Sequence, residues 1–261
     1  MIAWFQDLYR RRDLFYMITW REIVIRYKQS VMGFLWAILM PLLIVGAGIV
    51  VRAAFAYVAG TKLVMSDLAD VSVRAVPWAF FVAATRFATN SLIGNVSLVQ
   101  KIYMPREIFP LAAVAANFVD FLVASVALTI FLVVVGTGFS VQLLWVPLLV
   151  LILVVFTIAL GTLLSAASLF FRDVKYLVEV FLTFAIFITP VFFSVNTFAR
   201  FRTVLLLNPV SPLLEGLAQA IAHNKAPLLP WVGYSAGVSL VLLVIALLVF
   251  KHLEPFFAES I

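Results

Sequence analysis

The sequence contains no cysteine, which excludes a disulfide framework, a thiolate metal site and a cysteine nucleophile. Charge is scarce as well. Asp, Glu, Lys and Arg make up 11% of the residues, against about 25% in soluble globular chains. The two histidines, His223 and His252, stand apart and suggest no metal cluster. No GxxxxGK[ST] stretch is present, so ATP hydrolysis through a phosphate loop is not expected of this chain. The nearest thing to a paired-acid motif is "DLAD", Asp67 to Asp70, on what reads as an outer loop. A glycosyltransferase would be expected to place its nucleotide-sugar site on the inner side instead. Nothing here marks an obvious enzyme.

What the chain has in abundance is apolar surface: 65% of its 261 residues are hydrophobic, well above the roughly 45–50% of soluble domains. That composition is an integral membrane protein's. Runs of about 20 mainly apolar residues give six expected spans, at about 31–58, 77–99, 109–135, 142–171, 176–195 and 230–250. The first run starts only near Val31, after a charged and aromatic stretch, so no cleavable signal is expected. The net charge of +6 is explained by loop asymmetry rather than by nucleic acid, because the basic residues lie beside the spans. With the N-terminus inside, eleven Lys and Arg fall on inner segments and six on outer ones, with Arg86 within a span. Both termini are therefore expected in the cytoplasm. The 59–76 stretch, the longest polar one, is too short to fold alone, and the chain reads as one transmembrane domain over 1–261.

Four segments stand out. In "DLFYMITWREIVIRYKQSVMGF", apolar residues recur at Tyr16, Trp20, Ile23, Val24 and Tyr27, while Thr19, Glu22, Arg26 and Gln29 form a polar stripe. Helical spacing with Asp13 as cap predicts an amphipathic helix over about 13–30, lying on the inner leaflet. It serves either as a topology anchor or as a platform for a cytoplasmic partner. The short inner turn from Gln100 to Pro110 leaves Ile102, Tyr103 and Met104 near water, as a docking knob or a lipid-dipping turn. Arg86 and Asp120 fall at similar depth in an antiparallel hairpin, which predicts a buried ion pair; contact with an anionic substrate is the other reading. Finally, Phe181, Phe184 and Phe187 make one helical stripe leading to Phe192 and Phe193. Packing accounts for most of the 25 phenylalanines, but such a stripe also suits a path for sugar rings.

A fifth stretch, "LLLNPVSPLLEGLAQAI" from Leu205 to Ile221, lies before the last span. Its two apolar pieces, Phe198–Leu207 and Val210–Ile221, are too short to cross a bilayer and suit a re-entrant pair of helices within about 196–226. Asn208-Pro209 predicts the turn between them. Ser211 reads as the cap of the second helix, with Pro212 at its first position and Glu215 in its first turn. Non-helical backbone at such depth survives only inside protein or beside water, so this segment reads as an outer gate, or else as a plain capping hairpin.

Four stretches together carry a resemblance: "ITWREIVIRYKQSVMGFLWAILMPLL", "VQKIYMPREIFPLAAV", "LFFRDVKYLVEVFLTFAIFITPVFFS" and "LNPVSPLLEGLA". In this order and spacing the chain resembles the permease subunit of type-2 ABC exporters of bacterial polysaccharide, the O-antigen, capsule and teichoic acid exporters. The resemblance implies an all-α membrane protein with six transmembrane helices, an N-terminal interface helix and re-entrant gate helices before the last span. It also implies a homodimer in the bacterial inner membrane, paired with a separate cytoplasmic ATPase dimer that binds ATP and Mg, the permease holding no cofactor. The cargo would be a polysaccharide linked to polyprenyl diphosphate, with O-antigen for lipopolysaccharide the first expectation. On this reading the ATPase contacts the inner turn at Lys101, Ile102, Tyr103, Met104 and Arg106, helped by Arg21, Arg26 and Lys28 and by Arg172 and Lys175. The gate is expected at Asn208, Pro209, Pro212 and Glu215. A drug or lipid exporter of the same superfamily and, further off, a membrane enzyme acting on polyprenyl-linked sugars are the alternatives.

Overall fold

The structure, a computed structural model, describes residues 11–28, 35–58, 60, 64–101, 104–138 and 140–258. Among these residues there are ten α-helices and no strand. The amphipathic segment forms α1 (Arg12–Lys28), close to the expected bounds. Then come α2 (Trp36–Val58), α3 (Met65–Asn90), the short α4 (Val96–Lys101), α5 (Ile108–Val135) and α6 (Trp145–Phe170). α7 (Val174–Ile188) leads into α8 (Arg202–Leu207), α9 (Ser211–Ile221) and α10 (Leu229–Leu253). A final 3₁₀ turn covers Glu254–Ala258. Among the described residues, five helices are long and apolar enough to cross a membrane: α2, α3, α5, α6 with its leading turn, and α10 with its trailing one. The sixth expected span, 176–195, is a helix of only 15 residues. At 1.5 Å per residue that is about 22 Å, short of a hydrocarbon core of about 30 Å.

The expected second span and outer loop need correction. The chain placed at 59–76 as polar loop is helical from Met65 onward, and α3 ends at Asn90 rather than near 99. Ala69 to Trp78 are buried. From Met65 onward three charges, Asp67, Asp70 and Arg74, made this part look like loop, but each is paired. Arg52 reaches across from α2 to Asp67 at 2.5 Å, and Arg74 donates to Asp70 one turn back at 2.6 Å. The Asp67 carboxylate also accepts the Val64 backbone N–H at 3.1 Å, which starts the helix. The "DLAD" acids are thus helix-capping and ion-paired groups.

α3 is the axis of the bundle. It packs against α2, α5, α6, α7 and α9, and its aromatic residues carry much of the core. Phe81 stacks on Phe156 of α6 with centroids 5.9 Å apart, and Phe80 meets Phe121 of α5 at 5.2 Å. Small residues let the backbones approach. A Cβ on Gly161 would lie 2.6 Å from the Ala88 Cβ across the α3–α6 contact. A Cβ on Gly48 would lie 2.5 Å from Val71 and 2.7 Å from the Phe192 ring, where α2 meets both α3 and the chain after α7. In a bilayer such close packing, rather than water exclusion, holds helices together. α5 stops at Gly136, whose φ of +83° is a left-handed cap that lets Thr137 N–H return to the Leu132 carbonyl at 3.1 Å.

A second, smaller core lies at the α1 end. Ile18 of α1, Met104 and Phe109 at the start of α5, Leu169 of α6 and Phe250 and Phe257 of the C-terminal segment meet there. The Gly161→Val substitution is therefore expected to cost about 1–3 kcal/mol through overpacking, seen as a lower thermal midpoint in detergent. Gly46→Val, where a Cβ meets nothing within 4 Å, should leave the midpoint unchanged.

Candidate functional site

The most concentrated chemistry sits where α3, α9 and the chain after α7 converge. Arg74 is fully buried, and its guanidinium bridges two acids. Nη1 donates to Asp70 at 2.6 Å and Nη2 donates to Glu215 of α9 at 3.1 Å. Glu215 also accepts from the Ser194 hydroxyl at 3.3 Å, the Val195 N–H at 3.4 Å and the Gln219 amide at 3.5 Å. The remaining Asp70 oxygen lies 3.0 Å from Nε2 of His223, just beyond α9. A buried charge without partners costs several kcal/mol, so the cluster pins α9 to α3.

The turn between α8 and α9 forms at Asn208-Pro209 as expected, by a different cap. Asn208 Oδ1 accepts the Val210 N–H at 3.1 Å, and its amide donates to the Thr189 hydroxyl at 3.0 Å. Ser211 is already helical, with Pro212 next, and its buried hydroxyl has no hydrogen-bond partner. The Asn208 side chain closes the turn, Val210 precedes the helix without a side-chain cap, and Ser211 does not fill that role. Glu215 likewise lies beyond the first turn; its stabilisation comes from Arg74 rather than from the helix dipole. α9 is buried along almost its whole length, whereas Val204 and Leu207 of α8 are exposed.

The expected Arg86–Asp120 pair is not made. Arg86 pairs with Glu179 of α7 at 2.7 Å, with both side chains partly exposed. Asp120 belongs to α1: Arg26 Nη1 donates to it at 2.9 Å and to Asn117 at 3.0 Å, and the Tyr27 hydroxyl donates at 2.6 Å. Burial, and then this bond to the carboxylate, pushes the Tyr27 phenol above its ordinary range. Equal depth in a hairpin does not fix which faces oppose, and α1 lies closer to this face of α5.

The residues expected to meet an ATPase are only partly a free surface. Arg26 is committed to Asp120, and Arg21 bonds Asn95 and Glu22. Met104, read from sequence as near water, is buried, while Arg106 donates to the Glu254 carbonyl at 2.6 Å with its guanidinium over the Phe257 ring. Lys28 and Arg172 are exposed, and the Lys175 ammonium sits 4.8 Å from the Tyr176 ring centre. Ile102 and Tyr103, and the Lys101 side chain, lie outside the described residues. Of the aromatic path, Phe181, Phe184 and Phe187 do share one exposed face of α7. Phe192 does not join them: it is buried against Gly48.

Sequence reasoning missed Asp70, Arg74 and His223. One signal was available, the i,i+4 spacing of Asp70 and Arg74, which belongs to a helix face. The bonds to Glu215 and His223 span 141 and 153 positions and leave no local trace.

A family model described as ABC-2 type transporter matches residues 13–222. A Myxococcus xanthus protein named O-antigen export system permease protein RfbA is 28% identical over 265 residues, covering all of both chains. Two Klebsiella pneumoniae proteins of the same name are 26% identical over 254 residues, 95% of this chain and 94% of theirs. The chain belongs to the ABC-2 type transporter family. It is the membrane subunit of a transporter, not an enzyme.

Arg74→Met is expected to destabilise the protein by about 3–5 kcal/mol by stranding two buried carboxylates. Adding Asp70→Asn and Glu215→Gln to it should recover a good part of that loss in a detergent thermal melt. Equal melting of the single and triple variants would show that the charges are not coupled.

Proposed function

We propose that this member of the ABC-2 type transporter family exports O-antigen, as a polysaccharide linked to polyprenyl diphosphate, across the bacterial inner membrane. The observation that carries the proposal is the likeness over nearly the full length to three proteins named as O-antigen export permeases. Apolar helices and a scarcity of charge fit a subunit that provides the path and leaves ATP and Mg to a partner.

In this reading two copies form the path, each joined to a cytoplasmic ATPase, and both termini face the cytoplasm. α7 counts as the sixth, shortest span. Phe181, Phe184 and Phe187 face the path on their exposed side of α7. The ATPase bears on the turn around Met104 and Arg106. The packing of that turn on Ile18 and Phe257 supports this, because a push there moves α1, α5 and the C-terminal segment together. α8 and α9 form the outer gate, a re-entrant pair held shut by Glu215 on Arg74.

Deleting the gene should remove long-chain lipopolysaccharide from the cell surface, read as loss of the ladder on a lipopolysaccharide gel, with lipid-linked polymer retained inside. Restoring the wild-type chain should restore the ladder. An unchanged ladder in the deletion strain would reject the O-antigen assignment.

Single cysteines test the gate in this Cys-free chain. Val204→Cys and Leu207→Cys, at exposed positions, should label readily with a membrane-impermeant maleimide from outside. Leu213→Cys and Leu217→Cys, which are buried, should label only during ATP-driven export. Labelling at Leu213 and Leu217 that ignores ATP would remove the gating role.

A further inference from the structure

From Ala69 to Asn90, the positions of α3 that are not buried are Ala79, Val82, Ala83, Arg86, Phe87 and Asn90. Their spacing of three and four residues makes one stripe on an otherwise enclosed helix. Its Ala79–Ala83–Phe87 edge is the floor of a cavity of about 290 Å³. Trp36, Met40 and Pro41 of α2 form one wall, and Asn117, Asp120, Phe121 and Ala124 of α5 form the other. Arg26 and Tyr27 of α1 line its polar end.

The cavity's dimensions and polarity point to one kind of occupant. Along α3 it runs from Phe87 to Val76, about 16 Å at 1.5 Å per residue. That matches one leaflet of a hydrocarbon core about 30 Å thick. Its deep part is apolar, with Val76, Phe80 and Ala124, while the polar groups gather at the α1 end. There Arg26 uses only Nη1 for Asn117 and Asp120. Nε and Nη2, the side-on edge of the guanidinium, are buried without a partner. This edge pairs well with two oxygens of a phosphate, and leaving it empty costs free energy. Arg26 shares this end with Asp120 through Nη1 alone, and Lys28 of α1, two residues on, is exposed. The Phe87 ring covers the guanidinium at 3.9 Å and is itself 42% exposed.

We propose that this cavity binds an anionic glycerophospholipid of the leaflet at the α1 end, one acyl chain lying on Ala79 and Ala83 and the phosphate on Arg26. The bound lipid joins α1 and α2 to the α3–α5 pair. The inference does not depend on which cargo the transporter carries.

The test uses the full-length chain extracted from membranes in mild detergent, with retained lipid identified by mass spectrometry. Wild type should keep about one anionic phospholipid per chain. Ala83→Phe, which fills the floor, should lower that several-fold, and Ala79→Phe serves as a second filling variant should the first fail to fold. The pair-removing variant Arg26→Gln with Asp120→Asn should keep a chain in the cavity but lose the preference for anionic headgroups. After delipidation, phosphatidylglycerol vesicles should raise the thermal midpoint of wild type more than phosphatidylcholine vesicles do, and should leave folded Ala83→Phe unmoved. Equal lipid retention by wild type and a folded filling variant would overturn the proposal. So would a polyprenyl-linked glycan recovered in place of phospholipid, or an Arg26 variant with unchanged headgroup preference.

Discussion

A fully buried guanidinium constrains the rest of this membrane protein. Arg74 cannot be left unpaired in an apolar interior, since breaking such a pair costs about 3–5 kcal/mol. Asp70, on the same helix, supplies one partner, but a single carboxylate does not use both ends of the fork. Glu215 supplies the second from 141 residues away. That need fixes α9 against α3. It also draws in the chain after α7, because Glu215 accepts from Ser194 and Val195 there. Three segments distant in sequence are thereby joined at one carboxylate.

The contrast between the two ends of α7 follows from this arrangement. Its far end leads directly into Val191, Phe192 and Val195, all buried, and then to the Glu215 hydrogen bonds. Its near end is tied by Arg86 to Glu179, a pair roughly half exposed on both sides. Both of its side chains keep 40–49% of their surface exposed, unlike the enclosed Arg74 cluster. α7 thus runs into the buried core at one end and is tied by a half-exposed ion pair at the other. Its Phe181–Phe184–Phe187 face is largely exposed, while Val178, Leu182 and Ala185 on the opposite face pack into the main core.

Much of the architecture was legible because the bilayer imposes length. The apolar runs at 109–135, 142–171 and 230–250 became helices of nearly those bounds, and Asn208-Pro209 turned where a turn was expected. Two things were not legible. Charge at Asp67, Asp70 and Arg74 argues for loop when each residue is weighed alone, yet each becomes compatible with a buried helix once its partner is counted. Partner choice was the other. Asp120 sits at the depth of Arg86, but α1 offers it Arg26 from its polar stripe and the neighbouring Tyr27 hydroxyl. Hydrophobic periodicity showed that stripe, and only the fold shows that it faces protein as well as water.

The same consideration applies to how movement crosses the molecule. At the α1 end, Arg106, Phe257, Phe250 and Leu169 lock the start of α5, the end of α6 and the C-terminal segment together, while Ile18 brings in α1. At the other end, Arg74 and Glu215 lock α3 to α9. Between the two bodies run α3, α5 and α6, joined by close contacts such as Gly161 on Ala88 and the Phe80–Phe121 pair. Packed cores of this kind shift between discrete arrangements more readily than they deform continuously. Glu215 holds Arg74, Ser194, Val195 and Gln219 at once, so a movement of α9 away from α3 has to break that set together.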